Sequence, residues 1–113
     1  MTLKIYHNPR CTKSRLTLGI LEDRGLEPEI IEYLKTPPSI SELAAIVKRL
    51  GVSVRDIARK KEAADAGIDL SSLDDTALLK AMAEHPIVIE RPIVVHNGRA
   101  AIGRPPENVL KIL

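Results

Sequence analysis

The chain of 113 residues contains one cysteine, no phenylalanine, no tryptophan and two tyrosines. A single thiol excludes an internal disulfide framework and a zinc site made of several thiolates. Without Phe or Trp, the core has to be aliphatic, packed from Leu, Ile, Val and Ala. Two tyrosines offer no stacking platform for bases, and a net charge of +2 is a weak footprint for a phosphate backbone, so no nucleic acid is expected as a partner. No apolar run approaches the length of a membrane span, so no membrane association is expected, and MTLKIYHNP moves directly into a strand pattern. The expectation is a soluble, cytoplasmic protein with a reduced thiol. No exposed apolar stripe stands out, which favours a monomer.

The local patterns are well marked. LKIYH, residues 3–7, alternates and stops at Asn8-Pro9, the mark of a short strand ending in a turn. From Thr12 to Arg24, Leu16, Ile20 and Leu21 recur at helical spacing, and Gly25 marks the stop. Pro28 opens a second strand, EIIEYL, over 29–34. Strand, helix and strand in this order form a βαβ unit with parallel neighbours.

Thr36-Pro37-Pro38 breaks the pattern. Ser39 and Glu42 then make a capping box ahead of Leu43, Ile46, Val47 and Leu50, and Gly51 closes that helix. Residues 53–68 are charged and weakly periodic, consistent with short helices and turns. Asp74 or Asp75 caps another helix with Leu78, Leu79 and Met82 on its buried stripe, up to His85-Pro86. RPIVVHNGRAAIG reads as a hairpin about an Asn-Gly turn, and RPPENVLKIL as a closing helix begun by Pro105 and Pro106. The string is βαβ, a helical block over about 36–90, then ββα. Removing the block leaves a thioredoxin-like α/β arrangement with a four-stranded mixed sheet, all within one domain, 1–113.

Cys11 falls between the first strand and the first helix, so its sulfur meets a helix N-terminus, where free N–H groups and the dipole favour an anion. Thiolates are the reactive form, and such a location lowers a thiol pKa. Ser14, one turn on, can donate toward the sulfur; Lys13 and Arg15 add positive charge, and His7 would add more if protonated. The plainer alternative is a Cys serving as a small buried apolar residue, for which a turn with Pro9 and several cations is poor surroundings. A thiolate with no resolving partner can form a mixed disulfide with an external thiol, or attack a substrate and be released by one. His7, His85 and His96 show no paired spacing, so no metal is expected.

Arginines are the second signal. Arg91 precedes Pro92 at the mouth of a strand, Arg104 lies between Gly103 and Pro105, and Arg59 is in the helical block. A guanidinium fork suits tetrahedral oxyanions better than an ammonium does. Three solvated surface arginines would look the same, because spacing alone cannot show that they converge. Pro92 alone would equally suit an ordinary trans proline at the start of an edge strand.

IYHNPRCTKSR, SVRDIARK, HPIVIERPIVV and GRPPENVLKIL together resemble the glutaredoxin-linked arsenate reductases, the ArsC-type family, over essentially the whole chain. The match is closest to a short branch that ends soon after the last helix. The resemblance implies a thioredoxin-like core with a helical insertion and Cys11 as nucleophile. It further implies Arg59, Arg91 and Arg104 as oxyanion-binding residues, His7, Ser14 and Arg15 as thiolate-tuning residues, and Pro92 as the cis-proline. Between Cys11 and Ser14 this chain carries Thr12-Lys13, where family members usually have Gly-Thr. The implied activity is reduction of arsenate to arsenite, with no bound cofactor, glutathione as co-substrate and glutaredoxin as partner.

A phosphatase-type loop needs a longer Cys-to-Arg spacing than the three residues separating Cys11 from Arg15. Thioredoxin-linked arsenate reductases use further cysteines, which this chain lacks. Other readings on the same fold are a glutathione-dependent thiol reductase with another substrate, and a regulator of the Spx type that binds RNA polymerase. Such regulators typically close a C-x-x-C disulfide, which Ser14 forbids here.

Overall fold

The computed structural model describes residues 3–113. Its elements are β1 (Leu3–His7), α1 (Thr12–Asp23), β2 (Glu29–Glu32), α2 (Ile40–Leu50), α3 (Lys60–Asp65), α4 (Asp75–Glu84), β3 (Ile93–His96) and β4 (Arg99–Ile102). Short 3-10 segments cover Val54–Ile57, Pro86–Val88 and Pro106–Ile112. The chain divides into two compact units, one made from residues up to 36 and from 91 onward, the other spanning 37–90.

The first unit contains the sheet, in the order β2-β1-β3-β4. β1 runs parallel to β2, as a βαβ crossover requires, and antiparallel to β3, which pairs antiparallel with β4. In register, Ile5 faces Ile30 on one side and Val94 on the other, and Val94 faces Ala101. The β3–β4 turn places Asn97 (φ 51°) and Gly98 (φ 80°) in the left-handed region, the backbone that an Asn-Gly hairpin turn demands. Ile5, Leu21, Val94, Val109 and Ile112 form the core, with Leu3, Leu18, Ile20, Leu26 and Ala101 against it. Each such side chain contributes about 1.5–3 kcal/mol on burial, and the core of this unit is not purely aliphatic, because Tyr6 and Tyr33 are buried as well.

Besides its buried tyrosines, this unit differs from the sequence expectation in three places. Leu16 is 55% exposed; the buried stripe of α1 is Ser14, Thr17 and Leu21. β2 stops at Glu32, whose carbonyl accepts from the N–H groups of both Lys35 and Thr36 in a turn at 2.9 Å, so Tyr33 and Leu34 leave the strand. The closing helix is a 3-10 segment: Val109 and Ile112, three residues apart, are its buried positions, which suits a period of three residues.

In the second unit, α2 starts with the full capping box: the Glu42 N–H donates to Ser39 Oγ at 3.1 Å, and the Ser39 N–H to Glu42 Oε1. It ends at Gly51 in the left-handed conformation (φ 70°). Leu43, Ile46 and Val47 of α2 and Leu78 and Met82 of α4 are buried, while Leu79 is half-buried. Asp74 caps α4, accepting from the Ala77 N–H at 2.8 Å. The Arg59 N–H donates to the Val88 carbonyl and the Glu90 N–H to the Ile57 carbonyl, both at 2.7 Å.

Candidate active site

Cys11 is the N-cap of α1, half-buried, with extended backbone (φ −91°, ψ 122°). Its own main chain is tied on both sides: its N–H donates to the Asn8 carbonyl, and its carbonyl accepts from the Arg15 N–H, each at 3.0 Å. The sulfur thus occupies the place where a capping oxygen usually sits, facing the first, unsatisfied N–H groups of the helix. The neutral thiol makes no full capping hydrogen bond, but the Ser14 N–H is near enough to favour the thiolate.

Burial pushes the Cys11 thiol up, but the Ser14 backbone N–H and the hydrogen bonding and charge of Arg91, with the charge of Arg104, outweigh it and hold the thiol below its ordinary value of 9.0. Arg104 Nη2 lies 3.7 Å from Sγ. The same guanidinium donates through Nε to the Arg91 carbonyl at 2.8 Å. Arg91 and Arg104, from opposite ends of the β3–β4 hairpin, therefore meet at one sulfur.

Both arginines precede a cis peptide bond, Arg91–Pro92 and Arg104–Pro105. A cis bond is expected only at Pro92, from the family resemblance, although Arg104-Pro105 is an equally visible X-Pro pair. Between them lies Gly103, whose N–H donates to the Pro92 carbonyl at 2.9 Å. A Cβ on Gly103 would stand 2.8 Å from Pro92 Cγ and would collide with Thr17 Oγ1. Gly103 is thus a close-approach glycine where α1 meets the hairpin. Only the conspicuous Gly before Arg104 could have signalled it in the sequence.

His7 and Ser14 are both buried and share a 2.6 Å hydrogen bond between Nδ1 and Oγ. Ser14 Oγ also accepts from the Asn8 N–H at 3.0 Å. The part of Ser14 that favours the thiolate is its backbone N–H; its hydroxyl braces the turn. Burial, with the Arg15 charge, lowers the His7 pKa from 6.5 against the opposing pull of Glu32 and Glu22. His7 is neutral near pH 7, so it gives the thiolate no positive charge and serves through its hydrogen bond instead.

Arg15 donates to the Pro9 carbonyl at 2.8 Å and to Thr12 Oγ1 at 3.3 Å, clamping the turn from outside. Asn8, which the sequence marks only as the turn that ends β1, is buried and organises the site: its carbonyl holds the Cys11 N–H, and its Oδ1 accepts from the Arg10 N–H at 3.0 Å. An Asn in a strand-to-helix turn is the signal that could have found it.

Arg59 belongs to the second unit. There it donates from Nε to Glu62 Oε2 at 2.8 Å and from Nη1 to Glu90 Oε1 at 2.7 Å. Among the described residues no group of three or more His, Cys, Asp or Glu is placed to hold a metal ion, and no helix is long and apolar enough to cross a membrane.

A thiol held below its ordinary pKa at a helix N-terminus, faced by two guanidinium groups, is equipped to attack an anionic electrophile. The sequence pattern of the ArsC family matches residues 6–112. This chain belongs to the ArsC family. It is similar to a Neisseria meningitidis protein named arsenate reductase, 50% identical, with 98% of this chain and 97% of that protein covered. An Escherichia coli protein of the same name is 42% identical, covering 98% of this chain and 80% of that one. The solved structure of arsenate reductase from Vibrio cholerae superposes with a TM-score of 0.94 at 53% identity, covering 100% of this chain and 98% of that one. The thioredoxin-like α/β fold of this ArsC-family chain is shared with that structure.

Proposed function

We propose that this ArsC-family protein reduces arsenate to arsenite, with Cys11 as nucleophile and glutathione and glutaredoxin as its thiol partners. The observation that supports this most is the meeting of Arg91 and Arg104 at the Cys11 sulfur. Arsenate is a tetrahedral oxyanion, which forked guanidinium donors hold well. The names of the relatives point the same way. Arg59 joins the oxyanion-binding set on the resemblance alone, and Pro92 is proposed as the cis-proline that borders the site.

The chemistry balances with external thiols. The Cys11 thiolate forms an S–As bond to As(V) as one oxygen, protonated, leaves as water. A glutathione thiolate then forms a disulfide bond with Cys11 Sγ. The S–As bond breaks with its electron pair left on arsenic, so As(V) becomes As(III) and the two sulfurs are oxidised together. A glutaredoxin thiolate takes over the glutathionyl sulfur, and Cys11 leaves as the thiolate that its surroundings already favour. One cysteine suffices because the second thiol is supplied from outside.

Mass spectrometry of protein incubated with arsenate and glutathione, without glutaredoxin, tests the sequence of steps. The expected product carries one glutathionyl group on Cys11 and forms only when arsenate is present. Glutathionylation at the same rate without arsenate would contradict the proposal.

A further inference from the structure

Arg104 has to be held at both its ends if it is to reach two acceptors at once. Its side chain spans from the Cys11 sulfur to the Arg91 carbonyl. Its main chain sits in the turn between β4 and the final 3-10 segment, where Pro105 and Pro106 bring no N–H groups. Asn108 supplies a donor that those prolines lack. Its side-chain Nδ2 donates to the Arg104 carbonyl at 3.0 Å, and its own N–H donates to the Pro105 carbonyl at 3.0 Å. The next residue, Val109, is fully buried in the core, so Asn108 is attached to a fixed part of the unit.

We infer that Asn108 is a positioning residue for the oxyanion site: by holding the Arg104 carbonyl to the closing 3-10 segment, its amide sets where the Arg104 guanidinium stands over Cys11. Asn108 touches neither the sulfur nor the anion and acts through Arg104. The inference rests on the proposed role of Arg104 in oxyanion binding, but its first readout is the thiol and needs no arsenate.

The experiment is a double-mutant cycle read by the pH dependence of Cys11 alkylation with iodoacetamide. Asn108→Leu removes the donor while keeping volume, and Asn108→Ala removes both, so packing loss and donor loss are separated. Both variants are expected to raise the pH of half-maximal alkylation, and to raise the KM for arsenate about three- to tenfold, the range of one hydrogen bond. In an Arg104→Ala background the same Asn108 changes should produce no further shift. An unchanged alkylation profile in Asn108→Leu, or an equal shift with and without Arg104, would overturn the inference. If arsenate proves not to be a substrate, the alkylation cycle still decides the role of Asn108.

Discussion

Arg104 reaches Cys11 with one nitrogen and the Arg91 carbonyl with another: Nη2 is 3.7 Å from Sγ and Nε is 2.8 Å from the oxygen. The residue is therefore both a charge for the thiolate and a strut between the ends of the hairpin. Arg104→Lys separates these uses, because an ammonium retains charge but cannot donate in two fixed directions. Arg104→Ala is expected to raise the half-alkylation pH of Cys11 and the KM for arsenate, the latter about 10- to 100-fold, as for a charged hydrogen bond. Arg104→Lys should recover much of the alkylation profile and little of the KM. Full recovery of both would mean that the fork geometry is irrelevant.

Gly103 is a second sensitive point. Gly103→Ala would drive a methyl group against Thr17 Oγ1 and to within 2.8 Å of Pro92 Cγ. Overpacking of this kind costs about 1–3 kcal/mol. Thermal unfolding should show a lower midpoint, and adding Thr17→Ala should restore part of it while leaving the Pro92 contact unrelieved. An Ala variant as stable as the wild type would show that the hairpin gives way easily at this place.

His7 carries a pH signature. An unfolded imidazole takes up a proton as the pH falls through 6.5, whereas the buried His7 resists protonation. The unfolded state then binds more protons, so stability declines as the pH drops below that value. Denaturant titrations between about pH 7.5 and 5.5 should show this decline, and His7→Gln should show less of it. Equal slopes in the two proteins would count against a neutral buried His7.

Ser39 provides a contrast in the second unit. Ser39→Ala removes the acceptor for the Glu42 N–H and half of the capping box, which should cost about 1 kcal/mol in unfolding experiments. A Ser39→Ala variant as stable as the wild type would show that the capping box adds nothing to the stability of α2.

The parts of this fold that sequence alone makes legible are those set by local chemistry. Alternation marks β1, Ser39 and Glu42 mark α2, and Asn97-Gly98 marks the hairpin, because each signal lies within a few residues of its effect. The buried face of α1 is hidden for a physical reason. Ser14, Thr17 and Leu21 have the same helical spacing as an apolar stripe, but two of them are polar. They can be buried because Ser14 Oγ bonds His7 and Asn8, and Thr17 Oγ1 donates to the Lys13 carbonyl at 2.8 Å. Those partners are invisible to a count of apolar residues, and Leu16 is left outside.

The site divides in the same way. Cys11 at a helix start can be read from a turn and a periodic run. Arg104 lies 93 residues from Cys11 along the chain, and only the pairing of β1 with β3 and β3 with β4 brings its loop to the thiol. The charge state of His7 depends on burial, which no spacing reveals.

The most direct test of the central claim is oxidation of NADPH by purified protein with arsenate, glutathione, glutaredoxin and glutathione reductase, run beside Cys11→Ser. Turnover is expected to require arsenate and to be abolished in Cys11→Ser while the variant remains folded. Turnover persisting in that variant, or a wild-type protein with a reactive thiolate that ignores arsenate, would contradict the claim.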